Sequence, residues 1–383
     1  MLSRLTRASA GARLQGLYPA LGPWTSAALW HGITKPELPT APLEQDLGQI
    51  RAQRLTPLLL RLCDERGWPL TEEQRGALEV EAFMWETLST SARSAGRAVL
   101  GMLEAAGIPA AVTKGPGIAA HYEPPLLRPY TDVDLLVRPR DFDRSMRLLA
   151  REGYRPAEAS RQPWPYFDRW CREGVNLTGP AGERVDVHHH VPPWHWSRRL
   201  DAASLLGRAQ APRSQGMPLV PAEDNLLVAA LHLVTDRNRA GRSLLIWRDV
   251  VQLGSSVDPG SAVARAREVR LDGWLRHVLL ALPEEVRPTA LLQRLEDGPL
   301  SPLPAAGRLA VLLSPVPAHL GARSSQALRL PVPAAAWCLA GALLPSRSFL
   351  HAKDPAAGAY PVLWARRAAR SWRSVRSSWQ PRG

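Results

Sequence analysis

From about Leu43 to Ala106, apolar residues recur every three or four positions, through Leu58, Leu59, Leu62, Val80, Phe83, Trp85, Leu88, Leu100 and Leu103. That is the period of helices with one apolar face. Pro69 and the run Thr71-Glu72-Glu73 mark a break and a fresh helix start. The first forty residues are punctuated by Gly and Pro and read as a loosely ordered arm. At Gly107-Ile108-Pro109 the pattern changes. Residues 110–113 read as a short buried strand, 115–122 as a helix and 133–137 as a second strand. A helix from Pro139 carries Phe142, Met146, Leu148 and Leu149 on its apolar side and ends at Gly153. After a Trp- and Pro-rich stretch, two more strands are predicted around 175–178 and 184–190, joined by the turn at 179–182. From Pro221 the helical period returns, over about 222–234, 244–253, 261–269 and 274–282, with shorter Pro-bounded helices to about Leu344.

This order predicts an α+β fold, a small mixed-sheet core flanked by N-terminal helices and a C-terminal helical domain. The boundaries it suggests are a basic arm over 1–42, a helical region over 43–107, the α/β core over 108–198, a helical domain over 199–353 and a basic amphipathic tail over 354–383. No internal repeat is visible, which excludes a solenoid.

Composition changes the picture only in part. A chain of 383 residues with 45% hydrophobic content can bury real cores. No apolar run reaches the roughly 18 to 20 residues needed to span a bilayer. The best, 332–344, is interrupted by Pro333 and Gly341. Cys63, Cys171 and Cys338 are far apart and form no CxxC pair, so neither a disulfide partner nor a cysteine zinc site is expected. A soluble, cytoplasmic protein is the expectation. Arg4, Arg7 and Arg13 precede the first acid, Glu37, in a transit-peptide-like composition, yet Arg, Ala, Pro and Gly are abundant throughout. The net charge of +13 draws acidic ligands, a nucleoside triphosphate or a nucleic acid alike.

The candidate chemistry lies in the carboxylates. Thr131-Asp132-Val133-Asp134-Leu135-Leu136-Val137 places Asp132 and Asp134 on one face at the start of a strand, with Val133 on the other. Two like charges about 4 Å apart repel by roughly 4 kcal/mol at an effective dielectric near 20, so the pair needs a cation, a shared proton or full solvation. Asp186, in Val185-Asp186-Val187-His188, joins them if its strand neighbours the first. Three hard carboxylates suit Mg²⁺, with Mn²⁺ as the alternative. Two such ions can activate a hydroxyl and stabilise leaving pyrophosphate. Upstream, Lys114-Gly115-Pro116-Gly117 leaves a strand and opens a helix, where N–H groups and a lysine can hold phosphates. The P-loop pattern is absent. Arg128 is a fork donor for the triphosphate or a partner for Asp132. His188 shares the face of Asp186 and suits a hydrogen-bonding or substrate role. His189 and His190 cannot ligate the same ion because strand neighbours alternate. Asp249 and His232 read as structural polar groups tying the helical domain to the core.

These elements resemble the nucleotidyltransferase superfamily typified by DNA polymerase β, with its glycine turn, helix, DxD strand and third carboxylate. More closely, Lys114-Gly115, the run from Tyr122 to Arg128, and Thr131 to Val137 are similar to an uncharacterised bacterial nucleotidyltransferase family with the pattern KG…Y…R…DIDLLV. Asp186-Val187-His188 matches its DxH element, and Leu343-Leu344-Pro345-Ser346 followed by Phe349 echoes a late one. The resemblance implies NMP transfer from an NTP such as ATP, with Asp132, Asp134 and Asp186 holding two Mg²⁺ ions and Lys114, Gly115, Arg128 and His188 binding the nucleotide. The implied acceptor is a small molecule, peptide or saccharide, with tRNA as the runner-up and an inactive nucleotide-binding module as the rival.

Last, Trp364, Ala368, Trp372, Val375 and Trp379 share one helical face, with Arg366, Arg367, Arg370, Arg373 and Arg376 around the rest. Across 361–379 such a helix suits an anionic membrane surface or RNA. Packing of the tryptophans on the protein's own helices is the plainer use.

Overall fold

Short-range pattern turns into layers as follows in the computed structural model, which describes residues 20–157, 172–191, 199–210, 216–235, 244–302, 332–354 and 358–379. The segment with Arg4, Arg7 and Arg13, Cys171, and the side chains of Cys338, Val375, Arg376 and Trp379 lie outside the described residues.

The N-terminal helices are α1 (Pro23–Leu29), α2 (Glu44–Ala52), α3 (Thr56–Arg66) and α4 (Glu72–Ala105). Within the stretch read as a loose arm, residues 23–29 instead form a buried helix, with Trp24, Leu29 and Trp30 in the core. Pro23 opens it, and the Asp46 carboxylate of α2 accepts the Trp24 and Thr25 N–H groups at 2.7 and 3.0 Å. That cap comes from 22 residues downstream, so local pattern does not reveal it. Thr71 and Gln74 form a capping box at the head of α4. The large apolar residues that mark its period, Val80, Phe83 and Leu88, are exposed. The face that meets the sheet is made of Ser89, Ala92, Ala95 and Gly96, then Val99, Leu100 and Leu103. Gly96 is required there, because a Cβ would stand 2.9 Å from the Val133 side chain.

The sheet comprises β1 (Ala110–Thr113), β2 (Val133–Val137), β3 (Arg155–Pro156), β4 (Gly174–Thr178) and β5 (Arg184–His188), interleaved with helices α5 (Gly115–Ala119) and α6 (Phe142–Arg151). The strand order is β1-β2-β5-β4-β3, with β2 and β5 parallel and the other pairs antiparallel. The outer edge of β1 is covered by the chain at 218–220, through Val112 N–H to Pro218 O and Val220 N–H to Val112 O. One face of the sheet, Val133, Leu135, Val137, Val175, Leu177, Val185 and Val187, packs with Val99 and Leu103 of α4 and Phe142 and Leu149 of α6. On the other face, Thr113, Asp134, Asp186 and Asn176 stand opposite one another across four strands.

The remaining helices are α7 (Ala202–Arg208), α8 (Ala222–Thr235), α9 (Leu244–Ser256), α10 (Pro259–Glu268), α11 (Asp272–Ala281), α12 (Thr289–Glu296), α13 (Val332–Leu343), α14 (Arg347–Lys353) and α15 (Tyr360–Trp379). The fold is thus α+β, a five-stranded mixed sheet flanked by helices. Helices α1 to α3 share one apolar core with α8 to α12, and Ala111 and Leu136 of the sheet's polar-row face enter it. Among the described residues no helix is long and apolar enough to cross a membrane.

Candidate active site

The polar row is a product of strand alternation and register. In β2, Val133, Leu135 and Val137 turn to the apolar core, which leaves Asp134 on the opposite face. The parallel pairing sets Asp134 against Asp186, and the next pairing sets Asp186 against Asn176. The neighbourhood inferred for the two aspartate strands is the observed one.

Four side chains converge on this point. Asp134 Oδ1 accepts from Lys114 Nζ at 2.8 Å and from His188 Nε2 at 3.0 Å. His188 Nε2 also lies 3.2 Å from Asp186 Oδ2, which accepts from Asn176 Nδ2 at 3.0 Å. His188 Nδ1 and Asp186 Oδ1 are buried and find no hydrogen-bond partner among the described residues. Gly174 lets the imidazole lie where it does, since a Cβ there would stand 2.8 Å from His188 Nδ1 and 2.7 Å from Val187 O. His189 turns away and stacks on Phe142 at 4.1 Å between centroids.

Lys114 is held in an unusual conformation. Its φ is 51° and ψ −135°, a region that costs a residue with a Cβ of order 1–3 kcal/mol. Asn225, fully buried on α8, fixes it, accepting from Lys114 N–H at 3.0 Å and from Thr113 Oγ1 at 3.1 Å while donating to Val220 O. The strained turn aims the ammonium at Asp134. Gly115 begins α5 beneath the Asp132 carbonyl.

Electrostatics ranks the groups. Burial pushes Asp134 up, but Lys114 and His188 outweigh it and hold the carboxyl well below the usual range. Burial also opposes charge on His188, yet Asp186 and the hydrogen bonds to both carboxylates raise it to about 9. Lys114 is likewise raised, burial being overcome by Asp134 and Asp186. Asp132 goes the other way. Burial, then Asp134 and Asp186, push it up to about 6. Lys114 and Arg54 offset only part of that rise.

Arg128 is placed elsewhere. Its Nε and Nη2 close on Asp249 of α9 at 3.0 and 2.7 Å, and Tyr122 OH donates to the same carboxylate at 2.8 Å. Asp249 is therefore the tie between helical layer and core that the sequence suggests. The sequence pattern does not single out Asn225 or Asn176, nor Arg54, whose charge lowers the Asp132 pKa. Alternation in β4 offers a signal for Asn176, whereas a lone Asn on an apolar helix offers none.

Residues 44–284 match the model of an uncharacterised nucleotidyltransferase family. That span is well over half of the chain and contains every member of the cluster. The chain belongs to this nucleotidyltransferase family. A comparison with curated proteins finds no match. Nucleotidyltransferases generally work with divalent metal ions on an NTP, and the residues present fit such an ion. One ligand atom from each of Asp134, Asp186 and His188 lies within 4.8 Å of the others. Asp186 also keeps a buried oxygen with no hydrogen-bond partner among the described residues. Asp132 stands outside that trio, at the mouth of the strand.

Proposed function

We propose that the protein transfers a nucleotidyl group from an NTP, ATP among them, to a hydroxyl or phosphate of a small molecule, peptide or saccharide. The observation that carries this reading is the register of Asp134 against Asp186, with Asp132 two residues upstream and Lys114 at the adjacent turn. Such a constellation is similar to the polymerase β type of active site.

Asp132, Asp134 and Asp186 would hold two Mg²⁺ ions, with Mn²⁺ favoured if His188 ligates. When bound, these ions supply charge neutralisation to the triphosphate and to the attacking oxygen. The rest belongs to the chain. Asp186, through its unpartnered oxygen, accepts the proton of the acceptor hydroxyl. A bond forms from the acceptor's oxygen to the α-phosphorus, the bond from the α-phosphorus to the bridging oxygen breaks, and pyrophosphate leaves. Lys114, which neutralises Asp134 in the structure, is the ammonium available to the phosphates once a metal takes over that task. Gly115 contributes its place at the head of α5, and His188 a buried donor on the polar row. Arg128 holds the core to α9 through Asp249.

The test incubates the protein with labelled NTPs, Mg²⁺ and an acceptor panel that includes tRNA, alongside Asp132→Ala and Asp134→Ala. Label transfer and pyrophosphate release should fall by on the order of 10²–10³ in each variant. Undiminished transfer refutes the mechanism. Stabilisation by NTP and Mg²⁺ without pyrophosphate release marks a binding module instead.

A further inference from the structure

Helix α15 uses the wrong face for a helix that merely packs. The side it lays on α14 carries Leu363, fully buried against Leu350, with Phe349 and Tyr360 beside them. Arg370 of the same helix pairs with Asp354 at 3.0 Å, and Arg366 lies 3.9 Å from it. The tryptophan stripe lies roughly 140° around the helix from Leu363, at about 100° per residue. Trp372 on that stripe is 69% exposed. Trp364, 41% exposed, donates its Nε1–H to Leu343 O at 2.7 Å. That bond brings the stripe to the end of α13, where Leu343 and Leu344 are also exposed, as is Trp337 two turns earlier.

Charge selects the partner. After Asp297 the chain has one acid, Asp354, against eleven Lys and Arg, a balance of +10 within a total of +13. About three quarters of the excess therefore lies in the last quarter of the chain, which carries the exposed tryptophans. Arg373 is exposed next to Trp372.

We propose that α13 and α15 form a docking surface for an anionic lipid membrane, on which the Trp and Leu side chains enter the headgroup boundary and the arginines meet lipid phosphates. Tryptophan and arginine together are the residues an interfacial helix uses. No described helix is long and apolar enough to span, so the helices lie on the surface. The aliphatic part of the patch decides against RNA. Bases stack on rings, but exposed leucines offer them nothing, whereas acyl chains accept both. Membrane attachment does not depend on the nucleotidyl-transfer reading, and its readout involves no turnover.

The experiment floats the full chain with phosphatidylglycerol-containing vesicles and with pure phosphatidylcholine vesicles, at low and high salt. Binding should prefer the anionic vesicles and weaken with salt. Trp372→Ser combined with Arg373→Glu should reduce it by about tenfold or more, because each cation near an anionic surface is worth about a fivefold factor. An unchanged thermal midpoint confirms that this variant folds, and Arg373→Lys should bind like the parent. Equal binding to neutral vesicles, or undiminished binding of the double variant, overturns the proposal. So does salt-dependent binding of tRNA without vesicle binding, which would put RNA on this face.

Discussion

Lys114 combines a strained backbone with a neutralising charge, and substitutions separate the two. Lys114→Ala removes the ammonium from between buried carboxylates, and breaking such a pair costs about 3–5 kcal/mol. Lys114→Gly removes the same charge but relieves the conformation at φ 51°, so it should unfold at higher urea than Lys114→Ala, by about 1–3 kcal/mol. Both losses should shrink when Mg²⁺ is added, because the ion takes the place of the ammonium; urea titrations in EDTA and in Mg²⁺ test this. Asn176 makes a second case. Its amide fixes Asp186, so Asn176→Ala should lower kcat by about 10- to 100-fold with little change in KM for the NTP. At this scale the sequence is most legible where alternation decides orientation: Asp134, Asp186 and His188 share a face by strand period, whereas Asp132 precedes β2. Asn225 is illegible because it reaches Lys114 across 111 residues, and periodicity carries no information at that range.

Elements are legible as types and less so as faces. Four of the five strands follow from apolar runs between turns, and most helices from a period of three to four, whereas β3, two exposed residues at Arg155–Pro156, leaves no pattern to read. In α4, however, the large residues Val80, Phe83 and Leu88 report helix without reporting burial; the middle of the helix meets the sheet through small residues, and only Leu100 and Leu103 near its end report both. Small residues allow close approach and leave a weak apolar signature. Gly96 shows what that approach requires. A Val at this position would drive its Cβ and methyls into Val133, lifting α4 from β2, and Gly96→Val should destabilise the fold by about 1–3 kcal/mol in urea unfolding. Val80→Ser and Phe83→Ser, on the exposed side of the same helix, should stay within about 0.5 kcal/mol of the parent, which separates the two faces.

On the scale of the whole molecule, buried and partly buried histidines and one pair of neighbouring residues on α9 set the behaviour. His31, His121 and His190 are all lowered by burial, His190 to about 4, so each takes up a proton more readily once unfolded. The contribution of His190 is present above about pH 6.5 and is lost as pH falls toward 4, and His190→Gln should flatten that acid limb in urea midpoints measured against pH. Arg248 and Asp249 join the layers. The guanidinium of Arg248 donates to Leu29 O and, at 2.7 Å, to His31 O at the end of α1. Asp249, the next residue, takes Arg128 and Tyr122 from the loop that leads into β2. One turn of α9 thus fixes the N-terminal helices and the loop into β2 to the same support. Asp249→Ala leaves Arg128 buried without its counter-ion, at a cost of about 3–5 kcal/mol, whereas Asp249→Leu with Arg128→Met replaces the pair by apolar packing and should recover most of that loss. The same residues separate two roles for Arg128. If its guanidinium gripped the triphosphate, Arg128→Met would raise KM for the NTP and leave stability alone. If it ties the layers, the same variant lowers the urea midpoint and kcat together, with KM unchanged, and the closed fork on Asp249 makes this second outcome the expected one.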